Sequence, residues 1–135
     1  MGNHVIANAK ALIFGGIFFD DSKSNNYRSL GENIFTKQIN EQILEDGAHF
    51  ELSPMYHQVI LEDIIDLIHL YNAFDIKVPS LWSEKLAAMQ NWSTAMSHPD
   101  GDISFFNDSA FSIARKPEET EKECISWQSE MGVLQ

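Results

Sequence analysis

Asn3 and His4, then His49, Glu51, Tyr56 and His57, then Asn107 and Asp108 are polar groups in loops or at helix starts, where a plain helical bundle does not need them. An amide donates and accepts hydrogen bonds, a phenol and imidazoles exchange protons, and a carboxylate accepts either. The densest set lies in GAHFELSPMYHQVILEDIIDLIHLY, residues 47–71. Ser53 can cap a helix with its hydroxyl, and Pro54 suits the first helical position, where no N–H is needed. Tyr56 and His57 then fall in the first turn, where unpaired backbone N–H groups and the positive end of the helix dipole point outward. Behind them Val59, Ile60, Ile64, Leu67, Ile68 and Tyr71 form an apolar stem, with Glu62, Asp63 and Asp66 on another face. The stretch reads as a reactive tip on a buried stalk.

Each of these residues also has a plain structural role open to it. Asn3 can be a helix cap, His49 and Glu51 a solvated loop, and Tyr56 and His57 packing under neighbouring loops. Asn107-Asp108 is common turn chemistry. His69, deep in an apolar run, reads as a hydrogen-bonded core histidine. Taken as metal ligands, His49, Glu51 and His57 are loosely spaced and lack the paired-histidine helical face of a metalloprotease, so no metal is expected. No glycine-rich phosphate loop and no nucleophile elbow is present. Cys124 sits on a late acidic helix, where a reactive thiolate is not expected. A glycoside hydrolase needs two opposed carboxylates, for which Glu51 and Asp108 are the candidates, without a supporting motif.

The elements that must hold these groups are helices. Residues 3–19 are apolar on nearly every face, which predicts an inner helix. Its abrupt start predicts further sequence upstream. Gly15-Gly16 weakens helix by roughly 1 kcal/mol per glycine, so an end or a bend is expected there. Residues 27–44 carry Leu30, Ile34, Phe35, Ile39, Ile43 and Leu44 at helical steps, and Gly47 suits a left-handed position after that helix. The central helix runs to about residue 75, and further helices are predicted over 79–97 and 117–131. Cys124, Trp127 and Met131 form the thin apolar side of the last one. Residues 103–106 can pass as a short extended piece. The prediction is all-α, antiparallel helical hairpins with no sheet, in one segment spanning 1–135.

Composition narrows the function further. The chain has 135 residues, 44% of them hydrophobic, and 20 acidic against 9 basic side chains, a formal charge of −11. One ordinary domain fits that length. Such a charge disfavours nucleic-acid or anionic-membrane partners, which need clustered Lys and Arg. One cysteine excludes an internal disulfide framework. The apolar run 5–19 is too short to span a bilayer and has no basic leader, so neither a membrane span nor a signal peptide is expected.

Three segments carry a resemblance. NHVIANAKAL at 3–12, DGAHFELSPMYHQVILEDIIDL at 46–67 and HPDGDISFFNDS at 98–109 resemble, in order, the N-terminal helical domain of heparinase II/III-type polysaccharide lyases, including heparan-sulfate and oligo-alginate lyases. The likeness covers most of residues 3–130, and the second segment is its most specific part. It implies an incomplete (α/α) toroid followed by β-sandwich domains, absent from this chain. It implies β-elimination on a uronate-containing polysaccharide, in the bacterial periplasm or cytoplasm, with no cofactor. Asn3, Tyr56 and His57 become the expected catalytic residues, Asn3 binding the uronate carboxylate and Tyr56 acting as base or acid. His4, His49, Glu51 and Asn107 become the expected substrate contacts. A helix start favours nearby negative charge by only about 0.3–1 kcal/mol, so His57, if cationic, would have to supply more for a phenolate. The chain alone is expected to be an inactive fragment; a non-catalytic carbohydrate-binding or accessory protein is the alternative.

Overall fold

The structure, a computed structural model, describes residues 2–19 and 21–130, the side chains of 127–130 excepted. Five helices follow one another: α1 Gly2–Phe18, α2 Ser24–Gln42, α3 Pro54–Ala73, α4 Ser80–Met96 and α5 Pro117–Glu130. Among the described residues there is no strand. Isolated backbone bridges join Ile43 to His49 and Ser97 to Ile103, so only the first residue of the expected extended piece 103–106 makes one. Met131 and the side chain of Trp127, expected on the apolar side of α5, lie outside the described residues.

Side-chain partners give the helix directions. Gly16 meets the backbone of Arg28, Gly31 meets Ala9, and Gln42 reaches Gly2, so α1 and α2 run antiparallel. Tyr71 packs on Trp82 and His57 on Trp92, so α3 and α4 are antiparallel too. Lys10 bonds Asp63 and Asp66, at 2.8 and 2.5 Å, while Phe18 meets Phe74; α1 and α3 are therefore parallel. Two helical hairpins lie side by side, and α5 closes over α3 and α4.

The inner helix is α3, not α1. Twelve of the 20 residues of α3 are buried, against five of the 17 in α1. Neighbours cover α1 on its α2 and α3 sides, while its last residue, Phe18, and the Phe19 that follows it stay exposed at 61% and 69%. Nor does Gly15-Gly16 end the helix, which continues to Phe18. Gly16 and Gly31 serve instead as contact points: a Cβ at Gly31 would stand 2.8 Å from the Ala9 carbonyl, and one at Gly16 would strike the Arg28 backbone. Helices at that distance exclude any larger residue.

The core gathers Ile6, Ile13, Phe35, Ile39, Ile60, Ile64 and Ile68 around an aromatic centre. Phe35 meets Trp82 edge-on at 4.9 Å, and Tyr71 lies 5.0 Å from the same indole. Both polar handles are satisfied, Trp82 Nε1 donating to Thr36 and the Tyr71 hydroxyl to Glu32. His69 is not in that core. It is partly exposed, with Nδ1 3.2 Å from Glu123 of α5, because α5 leaves that side of α3 open to water. Cys124 is buried, and burial pushes its thiol up to about 12, with Glu123 adding to the shift.

Candidate functional site

Because α1 and α3 are parallel, their first turns open at the same end of the molecule. An open depression of about 410 Å³ lies there, lined by Gly2, Asn3, His4, Glu51, Ser53, Tyr56 and Asp108. Asn3 and His4 come from the first turn of α1 and Tyr56 from that of α3. The Ser53 hydroxyl caps α3 by accepting the Tyr56 N–H at 3.3 Å. The same hydroxyl donates to the Asp108 carbonyl at 2.9 Å, and Met55 N–H donates to Ser109 Oγ at 3.3 Å. Residues 107–109 are thereby fastened across the start of α3, which carries Asp108 to the pocket.

Four residues expected from the sequence thus line one pocket: Asn3, His4, Glu51 and Tyr56. Three others stand elsewhere. Asn107 is exposed on the rim and donates to the Leu52 carbonyl at 2.6 Å. Both residues adopt positive φ, 52° each, so this bond joins two strained turns. His49 and His57 lie behind the pocket rather than in it, at 1% and 0% exposure. His57 Nδ1 accepts the His49 N–H at 3.3 Å, and its Nε2 lies 3.0 Å from the Met89 carbonyl. His49 Nε2 lies 3.0 Å from Gln42 Oε1.

Burial lowers both imidazoles to about 4, so both are neutral at neutral pH. His57 therefore presents no positive charge to Tyr56 at neutral pH, so the condition for its favouring a phenolate is not met. A helix advances about 100° per residue, so with Tyr56 at the pocket the adjacent ring of His57 turns inward against Trp92, at 4.4 Å.

The pocket holds an amide, an imidazole, a phenol and two carboxylates, with no Lys or Arg in its lining. Its chemistry is therefore hydrogen bonding and proton transfer. Among the described residues, no cluster of three or more His, Cys, Asp or Glu could hold a metal ion. A smaller depression of about 160 Å³ is lined by Asp102, Phe111, Arg115 and Lys116 among others. Its cations are engaged, Lys116 with Asp102 at 2.8 Å and Arg115 with Glu123. No helix among the described residues is long and apolar enough to cross a membrane. Sequence reasoning missed Gln42, which stands in no motif, and Ser109, the last residue of the 98–109 segment; only the packing shows what they touch.

Residues 1–129 match the model of the heparinase II/III N-terminus. The chain belongs to the heparinase II/III family. A heparin-sulfate lyase of Bacteroides stercoris is 31% identical over 114 residues, which are 79% of this chain and 16% of that protein. One from Pedobacter heparinus is 27% identical over 111 residues, 80% of this chain and 17% of that protein. The chain thus spans about a sixth of these relatives' length. Two solved structures of heparinase III superpose with TM-scores of 0.78 and 0.80, at 23% and 24% identity. They cover 98% and 94% of this chain, which in turn covers 20% and 21% of theirs. That likeness fixes the fold: these helical hairpins form part of an α toroid.

Proposed function

We propose that this chain supplies the carboxylate-binding amide and the proton-transferring phenol of a lyase that cleaves a heparan-sulfate-type polysaccharide by β-elimination. The observation that carries the reading is the meeting of Asn3 and Tyr56 in one pocket at the starts of two parallel helices. The proton alpha to a uronate carboxylate is weakly acidic, and an ionised carboxylate makes it less so. An Asn3 amide bonded to that carboxylate gains strength as charge moves onto it, which stabilises the transition state more than the ground state. Tyr56 takes the alpha proton or protonates the leaving glycosidic oxygen; the C–H and C–O bonds break as a C=C bond forms. His4 and Glu51 flank the pair as contacts to sugar hydroxyls. The remaining cations and protein surface that a sulfated polymer needs come from the further domains, β-sandwiches included, whose presence the family likeness suggests.

Glu51 and Asp108 line the same pocket, and a pair of carboxylates is what a hydrolase would use. The products separate the two readings. Residues 1–129 grafted in place of the matching segment of the Bacteroides stercoris lyase should yield products carrying the ultraviolet absorption of an unsaturated uronide. Asn3→Ala in that chimera should lose most of this product. Saturated products would favour the hydrolase, and tight sugar binding without cleavage would favour an accessory role.

A further inference from the structure

Behind the pocket a chain of hydrogen bonds connects three of its walls, and its first member is Gln42, the last residue of α2. Gln42 is 4% exposed. Its side-chain N–H₂ donates to the Gly2 carbonyl at 3.2 Å and to Gln38 Oε1 at 2.7 Å. With both donors used, Oε1 faces His49 Nε2, so that nitrogen must carry the proton. The His49 N–H in turn donates to His57 Nδ1, which leaves the His57 proton on Nε2, aimed at the Met89 carbonyl of α4. The Gln42 backbone carbonyl separately accepts the Phe50 N–H at 2.8 Å, beside Glu51.

We propose that Gln42 is a positioning residue: through Gly2 it sets Asn3 against the loop carrying Glu51, while His49 and His57 relay the same register to α3 and its Tyr56. The proposal rests on the reading of Asn3 and Tyr56 as the residues that meet the substrate. Stability of the bundle alone does not require this arrangement. The core is already built from Ile6, Ile13, Phe35 and Trp82, and apolar groups could fill the place of Gln42. The first turn of a helix has four N–H groups without helical partners and little to restrain it. Among the described residues, no other hydrogen bond reaches the first turn of α1 from outside that helix. His49 and His57 are thereby supports, whose neutral rings have one tautomer each because every bond in the chain has a fixed donor and acceptor.

Gln42→Glu divides the two functions. A carboxylate still accepts from His49 but presents no donor to the Gly2 carbonyl, whereas Gln42→Met removes both bonds at similar volume. Long-range nitrogen–proton spectra of the full 135-residue chain read the tautomers directly. Both rings should carry the proton on Nε2 in the unaltered chain, and His49 should keep it there in Gln42→Glu. In both variants the Asn3 side-chain amide and the Tyr56 ring signals should shift while the Trp82 indole signal stays in place. In the grafted lyase, binding of a heparan-sulfate tetrasaccharide should weaken about tenfold in either variant, the size of one lost hydrogen bond. Unmoved Asn3 and Tyr56 signals with unchanged affinity would overturn the proposal. So would a proton on Nδ1 of His49 in the unaltered chain, a result that needs no variant to fold. If the unaltered grafted lyase ignores the tetrasaccharide yet Asn3 and Tyr56 shift in the variants, the positioning role stands and the lyase reading loses its support.

Discussion

His49 and His57 show how one residue's surroundings decide its chemistry. Burial holds both at about 4 in the folded chain, against an ordinary value of 6.5. The unfolded chain therefore takes up protons below about pH 6.5 that the folded chain refuses. Stability is full above that pH and is lost as pH falls toward 4, at about 1.4 kcal/mol per pH unit per histidine. Denaturant unfolding should give a flat free energy from pH 7 to 8 and a decline between 6.5 and 5, above the ordinary carboxylate range. His57→Gln should roughly halve that decline; a flat profile down to pH 5 would show that the rings are not held neutral. Asn3, His4, Glu51 and Tyr56 were legible because helix-start chemistry, Ser53-Pro54 above all, marks which residues face an open end. The inward turn of His57 was not, since nothing near it in sequence tells on which side α4 packs.

At the scale of the elements, α1 and α2 depend on glycine at two contact points. Gly31→Ala would place a methyl 2.8 Å from both the Ala9 carbonyl and the Ile13 side chain. Separating the helices to fit it costs typically 1–3 kcal/mol, more than the roughly 1 kcal/mol that alanine contributes to helix propensity. A net loss of stability and a lower melting temperature are expected. Gly15→Ala is the control: its methyl would meet only the Phe19 ring, at 3.8 Å, so that variant should be as stable as the parent or more so. Equal effects of the two would refute the close-packing account. The sequence announced the Gly15-Gly16 pair of α1, but its purpose depends on which helix lies opposite, so the pair read as an end or a bend in a helix that in fact runs through.

For the whole molecule, hydrophobic periodicity was enough to read an all-α chain of successive hairpins, because each helix carries its own apolar stripe. Which helix is central was not readable, since α1 and α3 are both rich in apolar residues and only the order of packing distinguishes them. One consequence is an exposed aromatic cluster at the far end of α1 from the pocket, where Phe18 meets Phe74 edge-on at 5.3 Å and Phe14 stacks on Phe18. An exposed apolar surface of this kind favours association. Phe18→Ser with Phe74→Ser should reduce binding of a hydrophobic dye and any concentration-dependent self-association, both read on the purified chain; unchanged values would show that the cluster is inert. On the proposed function, the charge of −11 leaves the attraction of an anionic polymer to surfaces other than this chain's.

The central claim is that Tyr56 moves a proton during elimination, and its hydroxyl is the group to remove. In the grafted lyase, Tyr56→Phe should lower turnover to unsaturated uronide by about 10²–10⁴-fold, the usual contribution of a positioned acid or base, while affinity for a heparan-sulfate tetrasaccharide stays within a few-fold of the parent. Turnover equal to the parent's, in a folded variant that binds the sugar normally, would contradict the claim.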